Sequence, residues 1–260
     1  MGGKQTKEKD QKDSKEKNNT NDTTEKNNGI INEEKCDKND VLDISQYLKD
    51  KKQSNEYIYF KVKDIENEYS KLEREIQQLC LEKNSEEDEN SNEFENFLKK
   101  IKQISKTSLD IAKILKKAIY DAFIENNKEF SNLKLKKNDQ VDEGCINEFS
   151  SWCKNNLKDV DKLVQDFCDK YGGYKRGKDD FDIFMRFTKV YLKCKLCNEI
   201  IEYRECEDES IFDNKTMYDL AEIRGVNKKV KYYILPGLFY NGAFFQDGKI
   251  HVYAYSNKQY

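Results

Sequence analysis

A mainly α-helical chain, with a coiled-coil helix and a helical bundle followed by a small C-terminal β module, is the fold this sequence predicts, and three observations carry it. Apolar residues between positions 56 and 206 recur at helical steps of three and four. From Tyr232 to Tyr253 the residues are aromatic or β-branched, and Pro236-Gly237, Asn241-Gly242 and Asp247-Gly248 divide them as the turns of short antiparallel strands do. The only proline, Pro236, lies in that stretch, and everything before it reads as polar tail or helix.

Taken in order, residues 1–55 are Lys, Glu, Asp, Asn and Thr with few apolar side chains. Such a segment cannot offset the entropy of ordering, so a disordered tail is expected. Val41 to Leu48 is its one amphipathic piece, a candidate docking turn. Over 56–83, Ile58, Val62, Ile65, Tyr69, Leu72, Ile76 and Leu79 alternate steps of four and three, the 3.5-residue period of a coiled-coil seam. The seam predicts a homodimer, although an amphipathic helix packed on its own bundle buries the same stripe.

A polar, acidic break at 84–92 separates it from a helical bundle over 92–206. Phe94, Phe97, Ile101, Ile104, Ser108, Ile111, Leu115, Ala118 and Ala122 form the stripe of a second long helix. A third is expected from Cys145 to Tyr171, ended by Gly172-Gly173. A fourth starts near Asp179, with Phe181, Phe184, Phe187, Tyr191 and Cys194 on its buried face and charged residues toward water. Residues 207–256 make the β module, and 257–260 a closing tail.

Composition narrows the function classes. Of 260 residues, 36% are hydrophobic and 37% charged, and 47 basic against 50 acidic side chains give a net charge of −3. The charges are interspersed, without the basic stripe of a nucleic-acid reader, so no nucleic-acid partner is expected. Eight cysteines without a secretory leader fit reduced thiols in a cytoplasmic setting. Met1-Gly2-Gly3-Lys4-Gln5-Thr6 fits the N-myristoylation pattern, so membrane association is expected only through an acyl chain on Gly2; an ordinary flexible start fits the same residues.

Candidate chemistry is sparse. Cys194-Lys195-Leu196-Cys197 followed by Cys206 is the metal candidate, but a second Cys pair is missing. On a continuing helix, Cys194 and Cys197 are core neighbours; zinc and a redox pair are the other readings. No metal or other cofactor is therefore assigned. His251, the only histidine, has no nucleophile motif around it and reads as a strand residue on a partly exposed face. No catalytic residue is expected, and the chain reads as non-enzymatic.

The closing stretch carries a family resemblance. Gly237-Leu238-Phe239-Tyr240-Asn241-Gly242, then Ala243-Phe244-Phe245-Gln246-Asp247-Gly248-Lys249-Ile250-His251-Val252, together with Phe212-Asp213 upstream, resembles the end of the GrpE family, the nucleotide exchange factors of DnaK-type chaperones. Asn214 stands where that family has proline, and Gln246-Asp247-Gly248 where it has Arg-Pro-Ala. The resemblance implies a dimeric stalk that presents the β module to a DnaK-type chaperone and speeds ADP release. It places the chaperone contact on Phe239, Tyr240, Asn241 and Phe244. The alternative is an N-myristoylated, membrane-tethered coiled-coil scaffold.

Overall fold

The computed structural model describes residues 44–48, 60–85, 91–133, 141–142, 144–171, 179–197, 201–222, 227–245 and 248–256. Its helices are α1 (Val62–Ser85), α2 (Ser91–Asn126), α3 (Ile146–Asn156), α4 (Val160–Tyr171) and α5 (Asp179–Leu196). Its strands are β1 (Glu202–Arg204), β2 (Met217–Asp219), β3 (Lys228–Leu235), β4 (Gly237–Tyr240), β5 (Ala243–Phe244) and β6 (Ile250–Ser256). The fold is a helical body with a C-terminal β region.

The centre is α5. Besides Phe181, Phe184, Phe187, Tyr191 and Cys194, it buries Ile183, Met185, Val190, Leu192 and Leu196. A helix apolar on nearly every side is a core helix, and α5 lies against α2, α1 and α4. The charged residues expected toward water, Asp180, Asp182, Arg186, Lys189, Lys193 and Lys195, are the ones left outside the core, while the apolar face is wider than expected. Its lysines reach out from this position: Lys193 Nζ lies 2.7 Å from Glu68 of α1, and Lys189 Nζ 3.2 Å from Asp161 of α4. Their stems stay along the apolar surface while the heads stay wet.

The dimer seam is corrected as well. Ile65, Tyr69, Leu72 and Ile76 are at most 1% exposed in a single copy. Val62 and Leu79 are partly buried against the same core, and Ile58 lies outside the described residues. A stripe with steps of three and four says that one face is covered, not by what. Here α5 and α2 of the same chain cover it, so these residues are not available to a second copy.

Helix α2, 36 residues and about 54 Å long at 1.5 Å per residue, runs beside α5. It buries Phe94, Leu98, Ile101, Ile104, Ile111, Leu115, Ile119 and Phe123. Phe97, Ala118 and Ala122 of the expected stripe sit at its margin, only partly buried. Two small polar residues inside the interface find partners: the Ser105 hydroxyl is 2.7 Å from that of Tyr191, and Ser108 donates to the Phe184 carbonyl at 3.1 Å.

The single third helix expected over 145–171 is two. Leu157 is extended and bridges Leu48, while the Lys158 N–H donates to the Tyr47 carbonyl at 2.8 Å. Asp159 then starts α4 by accepting from the Lys162 N–H at 2.9 Å, the geometry of a helix cap. This also changes the reading of the tail. Ile44 and Tyr47 are buried, and the Tyr47 hydroxyl donates to Asp166 at 2.9 Å, so residues 44–48 dock on this chain's own α3–α4 corner.

The strands form two three-stranded sheets, in the order β1-β4-β5 and β2-β6-β3. Pairings are antiparallel except β2 with β6. The β region starts at Glu202, earlier than expected, because β1 pairs with β4. It is not a separate unit. Leu220, Ala221, Ile234, Leu235, Leu238 and Phe245 join the helices in one core, and only Val230, Ile250, Val252 and Ala254 form a core of their own on the sheet's other side.

Candidate functional site

Two arrangements bear on function, one displayed and one enclosed. The displayed one is the β4–β5 hairpin. Asn241 and Gly242 both have positive φ, 49° and 82°, as the two-residue I′ turn requires. Strand alternation then separates the side chains. Leu238 and Phe245 turn into the core, 0% and 4% exposed, while Phe239 and Phe244 stay half-buried on the opposite face. These two rings pair across the strands, centroids 5.2 Å apart and edge to face. Gly237 is required here, since a Cβ on it would come within 2.5 Å of the Phe244 ring.

From β1, Arg204 lays its guanidinium over Phe239, 3.3 Å from the ring centroid, while donating to Glu202 at 3.1 Å. Of the four residues expected at the contact, Phe239 and Phe244 share this outer face, Tyr240 lies half-buried on the opposite face against the main core, and Asn241 is exposed at the turn. Arg204 was missed. It lies far away in sequence, in a segment read as helix, and only the β1–β4 pairing sets it beside Phe239.

The enclosed arrangement centres on His251. The residue was expected on a partly exposed face, but it is 0% exposed, because α1 lies over β6. Its Nδ1 is 3.0 Å from the Lys249 carbonyl, which can only accept, and 3.4 Å from Glu73 Oε1. Its Nε2 is 3.1 Å from the amide nitrogen of Gln77. An amide nitrogen facing Nε2 goes with a neutral ring protonated at Nδ1. The Tyr218 ring packs on the imidazole, centroids 5.4 Å apart.

Around this pair, Tyr69 donates to the Pro236 carbonyl at 2.7 Å, and Asn84 to the Ala221 carbonyl at 3.4 Å. The Tyr69 hydroxyl is pushed well above its usual range, by burial first and by the nearby Glu73 carboxyl second. Tyr69, Glu73, Gln77 and Asn84 therefore make one polar edge of α1 facing the β region. With Glu73 and His251 both at 0% exposure, the cluster holds the helix on the sheet and does not meet solutes. Glu73 and Gln77 were missed, although an acid inside an apolar stripe was a readable sign.

Cys194 and Cys197 sit where the core reading of the sequence placed them. Cys194 and Cys197 are one turn apart, 4% and 7% exposed, and the Cys197 thiol donates to the Phe60 carbonyl at 3.3 Å. Burial pushes the Cys194 thiol up to about 12, and does the same to Cys80 and Cys168. Cys206 is half-buried, with its thiol also raised by burial. Among the described residues, no group of three or more His, Cys, Asp or Glu is placed to hold a metal ion. In the native protein at mildly alkaline pH, a thiol reagent is expected to label Cys206 at least about tenfold faster than Cys194 or Cys197, as mapped by mass spectrometry, because Cys206 is only half-buried while the other two are enclosed. Equal labelling rates would refute this placement.

Gly2 lies outside the described residues, as do the acidic run Glu86-Glu87-Asp88-Glu89 and the turn Gly172 to Lys178. No described helix is long and apolar enough to cross a membrane. No protein-family model, curated protein or solved structure matches the chain.

Proposed function

We propose that this chain is a non-enzymatic protein-binding module that meets its partner through the β4–β5 hairpin, and that a DnaK-type chaperone is the partner to test first. The observation that supports it is the paired Phe239 and Phe244 rings, half-exposed on a hairpin whose other face is anchored in the core. Rigid aromatic groups beside an arginine are the residue types that dominate binding energy at protein interfaces. Such a hairpin loses little freedom on binding, since its turn and its Leu238 and Phe245 anchors already fix it.

Binding that favours the open form of a nucleotide cleft speeds nucleotide release without any bond chemistry. Because the α1 seam is buried in the chain, the module would act through the hairpin alone, without the stalk that the GrpE resemblance implied. Fluorescent-ADP release from a DnaK-type chaperone tests this directly. Acceleration by the full chain is expected, with a loss on Phe239→Ala plus Tyr240→Ala equivalent to about 2 kcal/mol or more of binding energy. No acceleration by the parent chain removes the chaperone, and the membrane-tethered scaffold is then examined through Gly2→Ala and cell fractionation.

A further inference from the structure

The end of the helical body away from the hairpin's chemistry carries a groove of about 490 Å³ where α2, the 3₁₀ turn Lys128–Phe130 and α3 meet. We propose that it binds a cationic side chain, an arginine or lysine presented by a peptide segment of a partner. Its wall is aromatic, with Phe130 half-buried at the surface and Phe123 and Trp152, 1% and 9% exposed, behind it. Phe123 stacks on Phe130 with centroids 5.5 Å apart, and Trp152 stands at 5.9 Å from Phe123, nearly perpendicular.

Its rim is electronegative. Glu129 and Glu148 line it, both exposed, and neither makes an ion pair with any described residue. No lysine or arginine is among the lining residues described. Two helices also end here, α2 at Asn126 and α3 at Asn156, and helix C-termini carry partial negative charge. Asn127 and Asn156 turn their amide nitrogens to the carbonyls of Phe123 and Trp152, each at 2.8 Å. That leaves the amide oxygens, which are acceptors, turned away from the helix ends.

These features select one ligand class. An anion meets two carboxylates and two negative helix ends. A purely apolar ligand desolvates the acceptors without pairing them. A guanidinium or ammonium on an aliphatic stem satisfies both halves, with its stem on Phe130 and its charge beside the carboxylates of Glu129 and Glu148.

The groove contains its own reporter, since Trp152 is the only tryptophan in the chain. The experiment titrates the full chain with acetyl-Gly-Arg-Gly-amide, following Trp152 emission, and repeats it with acetyl-Gly-Glu-Gly-amide and acetyl-Gly-Gln-Gly-amide. The arginine peptide is expected to give a saturable change that weakens with added salt. In Glu129→Gln plus Glu148→Gln, its affinity is expected to fall at least about tenfold, while the melting curve is unchanged, because both positions are exposed. Side-chain amide shifts of Asn127 and Asn155 locate the peptide. No saturation, an equal response to either other peptide, an unaltered affinity in the variant, or shifts confined elsewhere would each overturn the proposal.

Discussion

Glu73→Ala is expected to lower unfolding free energy by about 3 kcal/mol, read as a shifted midpoint in urea with an unchanged slope. The side chain lies at 0% exposure beside His251, also at 0%, and alanine removes a partner from a site that water does not reach. The imidazole keeps the Lys249 carbonyl and Gln77 but loses the carboxylate, and a cavity opens between α1 and β6. Glu73→Gln separates charge from shape. It keeps the volume and removes only the charge, so its cost is expected to stay near about 1 kcal/mol, well below that of the truncation. If Glu73→Ala costs less than about 1 kcal/mol, the pair is not what fastens α1 to the sheet, and the polar edge from Tyr69 to Asn84 has been overvalued.

How much of this was readable follows from which facts are local. The Asn241-Gly242 turn was, because two consecutive positive φ values are a property of those residues alone. The two-faced hairpin followed from the strand period, which puts Phe239 beside Phe244 and Tyr240 on the other face. The stripe of α1 was legible as a buried face, but its cover was not. Amphipathic spacing is the same whether the partner helix belongs to another copy or to α5 of the same chain. On α5 the charged residues were rightly placed toward water, but the width of the buried face, with Ile183, Met185, Val190 and Leu192 also enclosed, depends on the neighbouring helices and was not legible.

The break between α3 and α4 illustrates the same divide. No glycine or proline marks it, and the apolar period runs on through Leu157. The local sign was Asp159, a good cap residue, but what decides the break is Leu48 bridging Leu157 from far along the chain. His251 was placed on the right strand and given the wrong exposure for the same reason. Alternation tells which residues share a face; that α1 covers this face is a tertiary fact. The absence of any matching relative leaves the hairpin's chemistry, and not kinship, as the support for a binding role.

The paired change Ile65→Asp and Leu72→Asp distinguishes an internal helix from a stalk, and it has the largest effect expected of any substitution proposed. If α1 were a coiled-coil arm, two aspartates in the seam would split a dimer and leave each copy's body folded. Here both side chains are at most 1% exposed within one copy, packed on α5 and α2. Each aspartate must therefore enter the apolar core, where an unpaired charge costs several kcal/mol or is neutralised at comparable expense. Two of them match or exceed the roughly 5–15 kcal/mol that holds a typical domain together. The variant is expected to lose cooperative thermal unfolding by circular dichroism. Leu72→Ala, costing about 2–5 kcal/mol, is expected to lower the melting temperature while leaving the native mass in solution unchanged from the parent's. A folded I65D/L72D variant with half the parent's mass would restore the intermolecular seam. Loss of folding in the pair, with constant mass in Leu72→Ala, assigns the stripe to this chain's own core.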